Sequence, residues 1–249
     1  MPRPTRARSW WNDLPGPDRD DRLPVELKVL LSHDSHRAVQ DAAHRLLPGR
    51  SVHYFDTPWL DLARHGVVVR LRSVGDRGGD ATVKIRRRTP VRLPKPLRDH
   101  RDLAVEIDTL PDARHWSAAL RRDLPADAVD EVLRGRRSLR EVLSGAQRTL
   151  YGTPPHDGPD LRRLRRVGPV RVRRSKLATL DCGSRVVAET CRYPDGSRLV
   201  EVSAKCPPGL ATRAAAEFTA LLRALHVDTA PEQRTKTSTA LDLLARARH

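Results

Sequence analysis

Charged side chains recur at i and i+2 in six apolar segments. Glu26 and Lys28 alternate with Val25, Leu27 and Val29, Arg70 and Arg72 with Val69 and Leu71, and Lys84 and Arg86 with Val83 and Ile85. Glu106 and Asp108 alternate with Val105 and Ile107, Arg171 and Arg173 with Val170 and Val172, and Glu201, Ser203 and Lys205 with Val200 and Val202. Successive strand residues point to opposite faces, so each segment carries one apolar and one ionic side. Arginine and lysine bind phosphoryl oxygens, and clustered carboxylates hold Mg²⁺ or Mn²⁺. Ionic sides gathered around one space would therefore suit a polyanion bound with a divalent ion. In an open antiparallel sheet the same alternation is an ordinary solvated face.

The elements that must position these residues follow from periodicity. Strands are expected at about 23–31, 51–56, 66–73, 80–87, 102–109, 168–175, 184–192 and 197–205. The third and fourth are joined by the hairpin-forming stretch VGDRGGD. A helix capped by Asp34 is expected over DSHRAVQDAAHRLL, with Ala38, Ala42 and Leu46 on one face. Residues 111–145 carry apolar spacings of three and four and read as a helical insert. Two further helices are expected over GLATRAAAEFTALLRALHV and STALDLLARAR. Strands on both sides of the helical insert point to an α+β fold, a single antiparallel sheet or barrel with helices outside it. Curled with its charges inward, the sheet becomes a closed barrel with an ionic lumen. Residues 1–22, rich in Pro, Arg and Asp, read as a flexible arm with Trp10 and Trp11 as its apolar anchor, ahead of one domain over 23–249.

Composition narrows the partners. The 249 residues hold 47 Lys and Arg against 31 Asp and Glu, a formal charge of +16 that favours a polyanion. The excess is almost entirely arginine, a skew that coding bias also produces. No apolar run approaches a membrane span and the N-terminus lacks an apolar signal core, so no membrane partner and a cytoplasmic location are expected. Cys182, Cys191 and Cys206 are odd in number without metal-ligand spacing, which fits reduced thiols. The stretch RRLRRVGPVRVRRSK places eight basic residues in 162–176 and allows a nucleic-acid contact, although a solvated charge run is the favoured reading.

The order VELK, YFDTPWLDLARHGVVVRLR, ATVKIRR, AVEID, PVRVRR, LVEVSAK and a late TKTSTAL resembles the CYTH family of triphosphate tunnel metalloenzymes, over roughly residues 23–245. Its most specific part is Y-F-D-T with L-x-x-x-G and then R-x-R. The resemblance implies a closed eight-stranded antiparallel tunnel and divalent-metal-dependent hydrolysis of a linear inorganic or organic triphosphate. By position it makes Lys28, Arg70, Arg72, Lys84, Arg171, Arg173 and Lys236 phosphate ligands, and Glu26, Glu106, Asp108 and Glu201 ligands of Mg²⁺ or Mn²⁺. Lys28 and Glu106 would carry the catalysis. Glu189 would be either a further ligand or an outer-face residue. The family's E-x-E-x-K begins here with Pro24, and its late E-x-E pair is Glu201 with Ser203. Two alternatives thus remain: a triphosphate- or polyphosphate-binding module that has lost part of the metal site, and a nucleotidyl cyclase or transferase.

Overall fold

A computed structural model describes residues 22–153 and 158–246, with side chains as far as residue 242, so the expected arm and its two tryptophans lie outside the described residues. Nine strands form the fold: β1 (Val25–Leu30), β2 (Arg45–Asp56), β3 (Val67–Ser73), β4 (Gly79–Arg87), β5 (Leu103–Leu110), β6 (Ala113–Leu124), β7 (Arg165–Thr179), β8 (Arg185–Arg192) and β9 (Arg198–Cys206). They close into a barrel in the order β1-β5-β6-β4-β3-β2-β7-β8-β9. Neighbouring strands are antiparallel except β1 and β5, which pair in parallel and bring Glu26 directly opposite Asp108. The expected eight-stranded antiparallel tunnel is corrected to nine strands in a mixed barrel.

The additional strand is β6, taken from the segment expected to open the helical insert. Its Ser117, Ala118 and Ala119 are small enough for a strand covered on both faces, which imitates helical spacing. Pairing with β4 and β5 along nearly its whole length decides the matter. A short α3 (Lys95–Arg98) lies between β4 and β5, and the helices of the insert are α4 (Ala126–Leu133), α5 (Leu139–Val142) and α6 (Gly145–Tyr151). The first expected helix also shrinks: α1 covers only His36–Asp41, Asp34 does not cap it, and Leu46 is exposed at the start of β2. The later helices form as expected, α7 over Ala211–Ala224 and α8 over Lys236–Arg246.

The apolar strand faces pack outward onto helices. Val67, Val69 and Leu71 of β3 and Ala81, Val83 and Ile85 of β4 share one core with Val129 and Val132 of α4 and Leu150 of α6. Leu27, Val29, Val200 and Val202 belong to the same core, which also takes in Phe218 of α7. Gln147, buried on α6, donates to the carbonyls of Ala81 and Leu120 and fixes that helix on the sheet. A second cluster joins Val52, Tyr54, Val170 and Val172 to Ala240 and Leu241 of α8, which places that helix against the apolar part of the barrel interior.

The YFDT motif is an architectural device in this fold. Buried Asp56 accepts hydrogen bonds from the N–H groups of Thr57, Leu62 and Ala63, folding the chain back into α2 (Asp61–Arg64). Leu62 of the L-x-x-x-G pattern is completely buried, and Gly66 has φ +59°. A Cβ at Gly66 would lie 2.2 Å from the Arg86 carbonyl oxygen, so glycine is needed to start β3 beside the end of β4.

Candidate functional site

Charged side chains of eight strands converge on a cavity of about 220 Å³. Eight basic and four acidic side chains line it. β1 supplies Glu26 and Lys28, β3 Arg70 and Arg72, β4 Lys84 and Arg86, β5 Glu106, and β9 Glu201. Arg50 of β2, Arg174 of β7, Glu189 of β8 and the Thr235-Lys236-Thr237 run at the start of α8 complete the charged and polar wall. Six positions expected from the motifs to bind phosphate or catalyse, Lys28, Arg70, Arg72, Lys84, Glu106 and Lys236, therefore meet in one space.

Arg171 and Arg173 do not join them. Both are exposed, and on β7 it is Val172 and Arg174 that face the cavity. The β2–β7 ladder shifts register between Val52 and Tyr54, and Arg50 stands opposite Val172. An alternation of valine and arginine reads the same whichever side is enclosed, so sequence parity chose the wrong face. Arg50 directly follows Pro48-Gly49, a pair that reads as a strand break, and Arg86 shares the parity and the face of Lys84.

One wall is carboxylate-rich. Glu26, Glu106 and Asp108 each bring an oxygen into a group no wider than 4.8 Å. Asp108 is fully buried and accepts from Lys28 at 2.8 Å, Lys84 at 2.9 Å and Arg86 at 2.8 and 2.9 Å. Burial opposes its charge, but these three cations outweigh the cost and hold its carboxyl well below the usual range. Lys28 also reaches Glu26 at 2.9 Å, and Glu106 pairs with Lys84 at 3.1 Å and with Lys205. Burial, with Arg86 and Lys28 nearby, pulls the pKa of Lys84 below that of a free lysine despite its carboxylate partners. The fourth expected metal ligand, Glu201, stands apart from this trio. With Glu189 it binds Lys236, at 2.8 Å from Glu201, and Arg174 reaches Glu189 at 2.9 Å.

The opposite wall holds cations in excess. Arg72 is paired with Asp80, but among the described residues neither Arg50 nor Arg70 has an ion-pair partner. The Arg70 Nε is buried with no hydrogen bond, and burial with neighbouring Arg72 lowers its pKa. Burial, with Arg174 and Arg72 beside it, brings Arg50 down to about 10. Unpaired charge held away from water costs several kcal/mol. An anion of several oxygens supplies what these two guanidinium groups lack.

Pro24 and Ser203 mark the two departures from the motif. Pro24 offers only its carbonyl, which accepts from the Ile107 N–H, and Ser203 faces Lys28 across the β1–β9 ladder. The trio of Glu26, Glu106 and Asp108 suits one hard divalent ion bound through oxygen. The carboxylates at the far side are engaged by Lys236 and Arg174.

Among the described residues no helix is long and apolar enough to cross a membrane. All three cysteines are free thiols, with Cys191 and Cys206 buried.

No family model matches the chain, and no curated protein matches it. Solved structures do. An adenylyl cyclase candidate from Hippeastrum, described as having a dominant triphosphatase activity, superposes with a TM-score of 0.63 at 14% identity, covering 88% of this chain and 96% of that one. A candidate adenylate cyclase from Bacillus halodurans gives 0.57 at 13% identity over 87% of this chain and 97% of that one. At such identities the shared property is the fold, and the fold of this chain is the one they have.

Proposed function

We propose that this chain, folded as a CYTH-type tunnel, hydrolyses a linear triphosphate with the help of one divalent ion. The observation that carries the reading is the pair of partly buried guanidinium groups, Arg50 and Arg70, that have no ion-pair partner among the described residues while facing a carboxylate-rich wall across one small cavity. Arg50, Arg70, Arg72 and Arg174 bind phosphoryl oxygens and hold the triphosphate in a single orientation. Lys84 lines the same cavity and adds a further cation to the phosphate chain. Lys28, ion-paired with Glu26 and Asp108, holds those two carboxylates close together. Glu26, Glu106 and Asp108 would hold Mg²⁺ or Mn²⁺, which when bound supplies neutralisation of charge on the phosphoryl oxygens. Water attacks the terminal phosphorus in line, the bond from that phosphorus to the bridging oxygen breaks, the remaining diphosphate departs with that oxygen, and the new orthophosphate releases the water's proton to solvent. For such a reaction positioning and charge stabilisation are the protein's main contribution.

Phosphate release from tripolyphosphate, with Mg²⁺, with Mn²⁺ and with chelator, tests the reading. Turnover is expected with metal and not with chelator, and Glu106→Gln is expected to lower kcat by about 100-fold or more, the scale of removing one electrostatic contact to the reacting group. Equal rates with chelator, or an unimpaired Glu106→Gln, would overturn it. A second reading is favoured by one observation: Glu189 and Glu201 are taken up by Lys236 and Arg174, and Ser203 stands where the motif has a carboxylate. It is a module that binds triphosphate without cleaving it, and tight binding with no turnover in any divalent metal would select it.

A further inference from the structure

The basic run over 162–176 divides in the fold. Arg162 pairs with Asp160 ahead of β7 and Arg174 enters the cavity, but Arg171 and Arg173 point outward from β7 into solvent. Arg192 of β8 stands directly opposite Arg171, and Arg198 of β9 directly opposite Arg192. Three exposed guanidinium groups therefore lie side by side across three neighbouring strands. Directly opposed like charges destabilise a sheet. No strand carboxylate offsets them: β7 has none, and Glu189 of β8 and Glu201 of β9 both face the cavity. Asp195, in the hairpin between β8 and β9, is taken up by Ser197. Among the described residues Arg171, Arg173, Arg192 and Arg198 have no ion-pair partner. The row ends on a groove of about 380 Å³, where Arg198 meets His33 and His36, whose ring centroids are 5.1 Å apart. The acids of that groove, Glu232 and Asp242, are paired with Arg234, and exposed His33 lies 3.9 Å from Asp34.

We infer that this outer face of the barrel binds a single-stranded nucleic acid, its phosphates on the arginine row and a base against the His33 ring. The site lies on the opposite side of the sheet from the cavity, so the inference does not depend on what the cavity binds. A chain of phosphates supplies the charge that the row lacks, and guanidinium groups meet phosphate oxygens in matched, bidentate geometry. Imidazole rings and guanidinium planes also stack on unpaired bases. Burial, with His33 and Arg198 beside it, lowers the His36 pKa, so that ring is uncharged at neutral pH. Two adjacent imidazoles at the end of the row suit bases. A bare polyphosphate or a lipid headgroup has no ring to place there, and a duplex keeps its bases covered.

Fluorescence anisotropy with a labelled oligouridylate, over a range of salt concentrations, tests this in the full chain. Four phosphate contacts predict a slope of log affinity against log salt of about −3, from about −0.7 per phosphate on a single strand. The triple variant Arg171→Gln, Arg192→Gln, Arg198→Gln is expected to bind at least tenfold more weakly, with the slope reduced to about −1. Its three side chains are exposed and unpaired, so its Tm is expected not to fall. A control triple, Arg77→Gln, Arg101→Gln, Arg136→Gln, removes the same charge from other exposed positions and is expected to bind within threefold of wild type. His33→Ala is expected to weaken oligouridylate binding at least fivefold, the scale of one lost base stack, and to leave polyphosphate binding unchanged. Equal losses in the two triple variants, or a loss in Arg70→Leu with the outer triple unaffected, overturn the inference. So does tighter binding of duplex, or of polyphosphate with the same number of phosphates, than of oligouridylate.

Discussion

Arg70→Leu is expected to abolish tight triphosphate binding while leaving the ligand-free protein at least as stable as wild type. The two effects have one cause. Without a ligand, the Arg70 guanidinium lies beside Arg72 with no carboxylate in ion-pair contact among the described residues, and Asp80 and Glu189 farther off do not offset its lost hydration. Leucine at that position removes a charge that is costly to bury, and such replacements are often neutral or stabilising. With the ligand, the same group would make charge-assisted hydrogen bonds whose loss costs about 2–4 kcal/mol, roughly 30- to 1,000-fold in affinity. Thermal melts with and without tripolyphosphate separate the terms: the ligand-induced rise in Tm disappears in the variant, and its ligand-free Tm does not fall. A ligand-free Tm lowered by several degrees, with the ligand-induced rise intact, would show that Arg70 serves the fold instead.

Asp108→Asn has the opposite signature. Three cations converge on that carboxylate, and amide substitution leaves Lys28, Lys84 and Arg86 facing one another across a buried space. Breaking a buried ionic cluster by removing one partner costs about 3–5 kcal/mol, a fall in Tm of roughly 6–20 °C for a chain of this size. The pH dependence fixes the sign. The folded carboxyl titrates well below the ordinary value of 3.8, so its contribution is complete above that value and is lost as pH falls through the folded pKa. Urea melts of wild type and variant are therefore expected to differ most near neutrality and to converge at strongly acidic pH. A gap that stays constant into strong acid would mean that the ionised form of Asp108 is not what stabilises the barrel.

These two residues belong to strands whose sequence declared their orientation. On β1, β3, β4, β5 and β9 the apolar phase is Val, Leu or Ile and the other phase is charged, so the enclosed ionic face was legible once the barrel was supposed. The same logic failed on β7, where both Val172 and Arg174 face the cavity and Arg171 and Arg173 face solvent. No local pattern distinguishes a valine under a helix from a valine inside a barrel; the register of β2 against β7 decides it, and register is a long-range property. β6 was missed for a related reason. A strand rich in alanine, with neighbours on both edges, has no strong two-residue alternation to read. Closure by the parallel β1–β5 pair joins segments some eighty positions apart, and it is this pairing that assembles Glu26 with Asp108.

The convergence of the ionic strand faces on an enclosed triphosphate site is tested most directly by a crystal structure with tripolyphosphate and Mn²⁺, the metal located by its anomalous signal. Phosphate oxygens are expected within hydrogen-bonding distance of Arg50, Arg70 and Arg72, and the manganese peak among Glu26, Glu106 and Asp108. Phosphates bound instead on the outer arginines Arg171 and Arg173, with the cavity holding neither anion nor metal, would contradict it.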